Sequence, residues 1–126
     1  MRAINRVNLW DTATTINGAV SITSEPITQR QAMGVCGINI IITGATPSVS
    51  LKLTVCDTEK GTYVTPYDTA GNAIDEIVDV GSELIASRWI QFDPTLAPYT
   101  KYIFTGSAAN GANTTVRAYL IYQDQI

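Results

Sequence analysis

Three groups of side chains in this chain have the types and spacing that chemistry uses: a run of acids, two cysteines and a scatter of aromatics. Asp57 and Glu59 stand close together, and Asp68, Asn72, Asp75, Glu76 and Asp79 follow within a short stretch. Oxygens gathered in this way suit a hard cation such as calcium, which wants several of them at once. None of the spacings matches an EF-hand loop, so solvated loop carboxylates are the expectation and no metal is assigned. A carboxylate-only glycosidase needs two acids facing across a cleft, and a sandwich of 126 residues offers no large groove for them. Cys36 and Cys56 have no histidine to activate them, because the chain contains none; nor is there a Gly-x-Ser-x-Gly elbow. The commonest general base, neutral-pH switch and transition-metal ligand are thereby all missing. Gly44-Ala45-Thr46-Pro47 lacks the Gly-Lys-Ser/Thr ending of a phosphate loop. The expectation is a protein that is not an enzyme, with no catalytic residues and no cofactor.

The aromatics Trp10, Trp89, Tyr63, Tyr67, Tyr99 and Tyr119 have two readings. They are a sugar-stacking platform, in which an apolar ring face and polar neighbours hold a pyranose, or they are core and rim packing. Trp89 opposes Ile90 and Phe92 by alternation, which points it away from the core.

Composition narrows the partners. Charged residues make up 15% of the chain, against roughly 25% in an average soluble domain. Solvation falls to Thr, Ser, Asn, Gln and Gly, and copies can pack closely with little self-repulsion. The net charge of −3 provides no basic footprint for nucleic acid. No segment approaches the roughly 18 apolar residues of a membrane span. The first eight residues lack the apolar core of a signal peptide. A cytosolic origin is expected, so the sequon Asn113-Thr114-Thr115 carries little weight.

The elements that must position these residues are strands. Gly34 to Thr43 and Ser48 to Asp57 flank a turn carrying Gly44 and Pro47, which reads as a hairpin at the centre of the core. Cys36, Ile38, Ile40 and Ile42 share one face of the first strand, and Val49, Leu51, Leu53 and Val55 one face of the second. Pairing those apolar faces sets Cys36 opposite Val55 and turns Cys56 away, so reduced thiols are expected rather than a disulfide.

Before the hairpin, Ala3 to Trp10 reads as an edge strand or a subunit-contacting arm. Together with the loop that follows it forms a segment 1–18, ahead of a single sandwich domain 19–126. Ala19 to Thr23 is a short strand, broken at Pro26. After the hairpin come strands at Thr62 to Thr65, Arg88 to Asp93, Lys101 to Thr105 and Thr114 to Gln123. Ala73 to Val80 is a strand or an irregular lid, with a helical turn as the weaker alternative. In the last strand Val116, Ala118, Leu120 and Tyr122 face inward, and Arg117, Tyr119, Ile121 and Gln123 outward. About eight short strands separated by turn chemistry predict an all-β, antiparallel two-sheet β-sandwich, jelly-roll or Ig-like, with little helix.

Two resemblances add to this. Leu96-Ala97-Pro98-Tyr99-Thr100-Lys101-Tyr102 resembles the tyrosine corner of fibronectin type III domains, which implies a two-sheet sandwich with Tyr102 at a corner. More widely, the chain from Pro47 onward resembles small β-sandwich virion proteins of tailed bacteriophages. The features are Val49-Ser50-Leu51-Lys52-Leu53-Thr54-Val55-Cys56-Asp57, Gly61-Thr62-Tyr63-Val64 and Tyr67-Asp68-Thr69-Ala70-Gly71-Asn72. Leu96 to Phe104 and Thr114 to Leu120 continue them. Thr58-Glu59-Lys60-Gly61 replaces the shorter turn usual there. The resemblance implies a non-enzymatic structural protein, a capsid decoration or stabilising protein or a tail module. Its partners would be the major capsid protein, other virion proteins or its own copies, as a homo-oligomer for which a trimer is one form. Its location would be the virion, assembled in the bacterial cytoplasm. Neither nucleic acid nor membrane is an expected partner. The contact residues expected are Ile4, Val7, Leu9 and Trp10 in the first segment, with the outward Trp89, Tyr119 and Ile121. A carbohydrate-binding module, tail-associated in one form, is the alternative, with glycan as the ligand.

Overall fold

The computed structural model describes residues 2–28, 35–44, 47–78, 83–93, 95, 97–108, 110, 111 and 113–125. Alternating apolar residues make strands throughout, because each strand can then bury one face and wet the other. The strands are β1 (Arg2–Thr15), β2 (Ser21–Thr23), β3 (Ile27–Thr28), β4 (Cys36–Thr43), β5 (Val49–Cys56), β6 (Glu76–Val78), β7 (Arg88–Phe92), β8 (Tyr99–Gly106) and β9 (Thr115–Gln125). No helix occurs among the described residues.

They form two antiparallel sheets. Sheet A has the order β1-β9-β4-β7, and sheet B the order β2-β8-β5-β6 with β3 also paired to β8. Apart from the pairs β2–β3 and β5–β6, consecutive strands cross from one sheet to the other. A four-strand and a five-strand sheet interleaved in this order make a jelly roll, one of the two topologies left open by the sequence.

The central hairpin is corrected by this topology. β4 pairs with β7 and β9, while β5 pairs with β6 and β8. The Gly44 connection, at φ 128°, arches between sheets. The reason lies in the two apolar faces. A hairpin would set both on the same side of one sheet, whereas an arch turns them toward each other. Ile38, Ile40 and Ile42 then meet Val49, Leu51 and Leu53 across the sandwich, all buried. Tyr102, Phe104, Val116, Ala118 and Leu120 complete the core. Each large side chain so buried contributes roughly 1.5–3 kcal/mol. No disulfide joins the cysteines. They lie on different sheets, with Cys36 opposite Phe92 and Cys56 opposite Tyr99.

The first segment is not a detached arm: β1 is the edge of sheet A, in register with β9 from Arg2↔Gln125 to Thr15↔Thr115, with shifts after Asn8 and after Trp10. Thr62 to Thr65 contributes one bridge, Val55↔Val64, rather than a strand. Only Glu76–Val78 of the segment 73–80 is strand; Asp79 and Val80 lie outside the described residues. Tyr102 is fully buried in the middle of β8, edge-on to Phe92 at 6.3 Å, and Leu96 of the corner motif lies outside the described residues.

Polar side chains tie the loops at one end. The buried Asn110 accepts from the Ser48 N–H at 2.6 Å and donates from Nδ2 to the Ile16 carbonyl at 3.2 Å. One amide thus joins the β1–β2, β4–β5 and β8–β9 connections. Gly106 lies against this knot: a Cβ there would stand 2.3 Å from the Gly18 carbonyl and 2.5 Å from Asn110 Nδ2.

Candidate interaction surface

Residues paired across a ladder point to the same side of the sheet, so the register of sheet A defines its outer face. One row runs Trp89–Asn39–Tyr119–Asn8 across β7, β4, β9 and β1. The next runs Gln91–Gly37–Ile121–Arg6. Gln123 with Ile4, and Arg117 with Ile41, extend the face at its two ends. It alternates apolar groups with amides and carries the guanidinium groups of Arg6 and Arg117, both exposed.

Trp89 is 54% exposed, on the edge strand β7, where it pairs with Asn39 of β4. Its indole lies against Gly37, where a Cβ would stand 2.6 Å from Nε1 and 3.1 Å from Cε2. Glycine at 37 is therefore what lets the ring settle on the sheet. Tyr119 is held from several directions. The Arg6 guanidinium stacks over its ring at 3.9 Å and its hydroxyl donates to Asp11 Oδ1 at 3.2 Å. A cation over an aromatic face at the surface is worth about 0.5–1 kcal/mol.

The seven expected contact residues divide between two faces. Ile4, Trp89, Tyr119 and Ile121 share the outer face of sheet A. Val7, Leu9 and Trp10 pack against the core instead. Trp10 meets Phe104 of sheet B with ring centroids 5.0 Å apart. The shift in register after Asn8 brings it inward, which its irregular sequence period concealed. Tyr119 is outward as expected, yet only 7% exposed because Arg6 covers it. Ile4 and Trp89 are the open apolar members.

The other aromatics do not form one platform. Tyr63 and Tyr67 lie in the loop 57–75 on the sheet B side, and Tyr99 is in β8. The loop acids are likewise dispersed. Lys52 pairs with Glu76 at 3.8 Å. Asp68 builds its own turn, accepting from the backbone N–H groups of Asn72 at 2.9 Å and Ala70 at 3.0 Å. The Asn72 backbone N–H, then the Asn72 side-chain amide and the Ala70 N–H, hold its carboxyl below the ordinary value. Gly71, at φ 87°, lets that turn close. Among the described residues no group of three or more acids and cysteines is placed to hold a metal ion. An open groove of about 330 Å³ lies beside β5, lined by Val55, Cys56, Asp57, Thr62, Val64, Ala97 and Pro98. Among its described lining residues Asp57 is the one carboxylate, where glycoside hydrolysis needs a facing pair.

Neither a family model nor a curated protein matches this sequence. Solved structures do match in fold. The SPBc2 prophage-derived protein YomS is similar over 98% of this chain and 96% of its own, at 16% identity and a TM-score of 0.50. The VP2 subviral particle of infectious bursal disease virus is similar over 98% of this chain, at 11% identity and a TM-score of 0.54. The T13 particle of the same virus matches over the same share, at 12% identity and a TM-score of 0.55. This chain spans about a third of the length of those two viral chains, 33% and 31%. The likeness is one of fold: a jelly-roll sandwich shared with viral and prophage-derived proteins.

Proposed function

We propose that this chain is a non-enzymatic structural protein of a tailed-phage virion, a decoration or stabilising subunit that works by binding other subunits, its own copies included. The contact surface in this reading is the outer face of sheet A. The observation that carries it is the presentation of Trp89. A large aromatic left 54% exposed on a strand, seated on a glycine and flanked by amides, is a pre-ordered anchor of the kind that dominates protein interfaces. The low charge of the chain and the fold shared with viral particles support the same reading. The mechanism is burial of Trp89, Ile4 and Ile121 against a partner, with Asn39, Gln91 and Gln123 as polar rim and many copies adding avidity. Light scattering of the purified protein over a concentration series tests it. The reading expects a mass rising to a defined oligomer, a trimer or larger ring. A monomer at every concentration contradicts self-assembly.

One observation favours a second reading. Trp89 stands in register with Asn39 and two residues from Gln91, an aromatic beside amides, as a glycan site requires. Glycan-array binding abolished by Trp89→Ala supports that reading, and a blank array removes it.

A further inference from the structure

We propose that the self-contact is head-to-tail: the outer face of sheet A in one copy seats on the loop 57–75 of a second copy. This rests on the assembly reading above and names the partner surface. Two surfaces of the same chain are complementary in charge and in apolar content. The sheet A face carries Arg6 and Arg117, and Asp11 beside it accepts the Tyr119 hydroxyl. The loop carries the opposite sign, with Asp57, Glu59 and Asp68 exposed against Lys60 of the loop and Lys101 of β8, whose ammonium stands 4.3 Å from the Tyr63 ring centroid.

The loop is also ordered and apolar where it is open. Val64 is bridged to Val55, Tyr67 to Ala73, and the Leu53 N–H donates to the Asp75 carbonyl at 2.9 Å. In that framework Val64, Ile74 and the 63% exposed Tyr67 are open to solvent, on the same loop as the exposed acids. Two sheet A faces meeting across a twofold axis would bring two arginine-bearing faces together, with no acidic surface of a partner to offset them. A face meeting the loop sets arginines against acids, and Trp89 against Tyr67 and Ile74. The loop is fixed to β5 of sheet B, so one molecule cannot satisfy both surfaces. The contact is heterologous, and such contacts close into rings or extend into filaments.

The test uses two full-length variants, each with one surface removed. Trp89→Ser removes the face and Tyr67→Ser removes the loop patch; both positions are exposed, and circular dichroism checks each fold. Sedimentation velocity is expected to show the wild type assembled and each variant alone monomeric. An equimolar mixture should give a dimer of one of each and nothing larger, because a single live face meets a single live loop. If Tyr67→Ser assembles like the wild type while Trp89→Ser does not, the contact is face-to-face. The head-to-tail inference then fails and the assembly reading stands. A mixture of folded variants that stays monomeric also overturns the inference. A monomeric wild type overturns the inference and the self-assembly on which it rests, while binding to other subunits stands apart from it.

Discussion

The indole of Trp89 takes the space that a side chain at residue 37 would need: a Cβ on Gly37 would stand 2.6 Å from Nε1. Gly37→Ala must therefore push the ring off the sheet. Trp89 is an exposed side chain that can move, so the fold is expected to survive, with a stability change under about 1 kcal/mol. Self-association is expected to weaken about tenfold, the equivalent of about 1.4 kcal/mol, because the anchor is no longer pre-ordered. Chemical denaturation and sedimentation on the same variant separate the two effects.

Trp10 makes the opposite prediction. Its ring packs 5.0 Å from Phe104, bridging the two sheets. Trp10→Ala should cost roughly 2–4 kcal/mol of stability, somewhat less than a fully buried aromatic. Trp10→Phe should recover much of it. Urea titration of the two variants measures this directly, and equal midpoints to the wild type would show that Trp10 is not part of the core.

What was legible in the sequence was the set of strands and their inward faces, because period-2 alternation is local. Val116, Ala118 and Leu120 in β9 are buried as the pattern required. Sheet membership was not legible. Whether Gly44 to Pro47 turns back or crosses over depends on β7, β8 and β9, which lie far along the chain. The face of Trp10 was hidden for a related reason, since the register shift after Asn8 reverses the alternation. Gly37 carried a signal, an isolated glycine inside a strand, which often marks a close approach. Only the register shows that the approaching group is Trp89.

Asn110 holds three connections through two hydrogen bonds, to the Ser48 N–H and the Ile16 carbonyl. Asn110→Ala leaves a buried donor and a buried acceptor unpaired. The expected cost is about 2–4 kcal/mol, with an unchanged denaturant slope. Asn110→Asp keeps the acceptor for Ser48 but loses the donor to Ile16, and should also destabilise. Amide exchange should report faster opening of the loop ends in both variants.

Asp68 makes the turn at residues 68–72 sensitive to acid. Its carboxyl titrates below the ordinary value of 3.8, chiefly because the backbone N–H of Asn72 bonds to the charged form. A depressed folded-state value means that its contribution is complete above the unfolded-state value and is lost as the pH falls through the folded one. The turn at Ala70 and Asn72 should hold through mild acid and loosen only below the ordinary carboxylate range. Asp68→Asn should remove that transition. Carboxyl and amide chemical shifts followed through an acid titration check both statements.

The central claim is that the outer face of sheet A is a contact surface between subunits, and Trp89 itself can report on it. In a Trp10→Phe background it is the chain's remaining tryptophan. Acrylamide quenching measured beside light-scattering mass, over one concentration series, makes the most direct test. The account predicts that Trp89 becomes protected and its emission shifts to the blue as the mass rises. A mass that rises while Trp89 stays as accessible as in the dilute protein would contradict it.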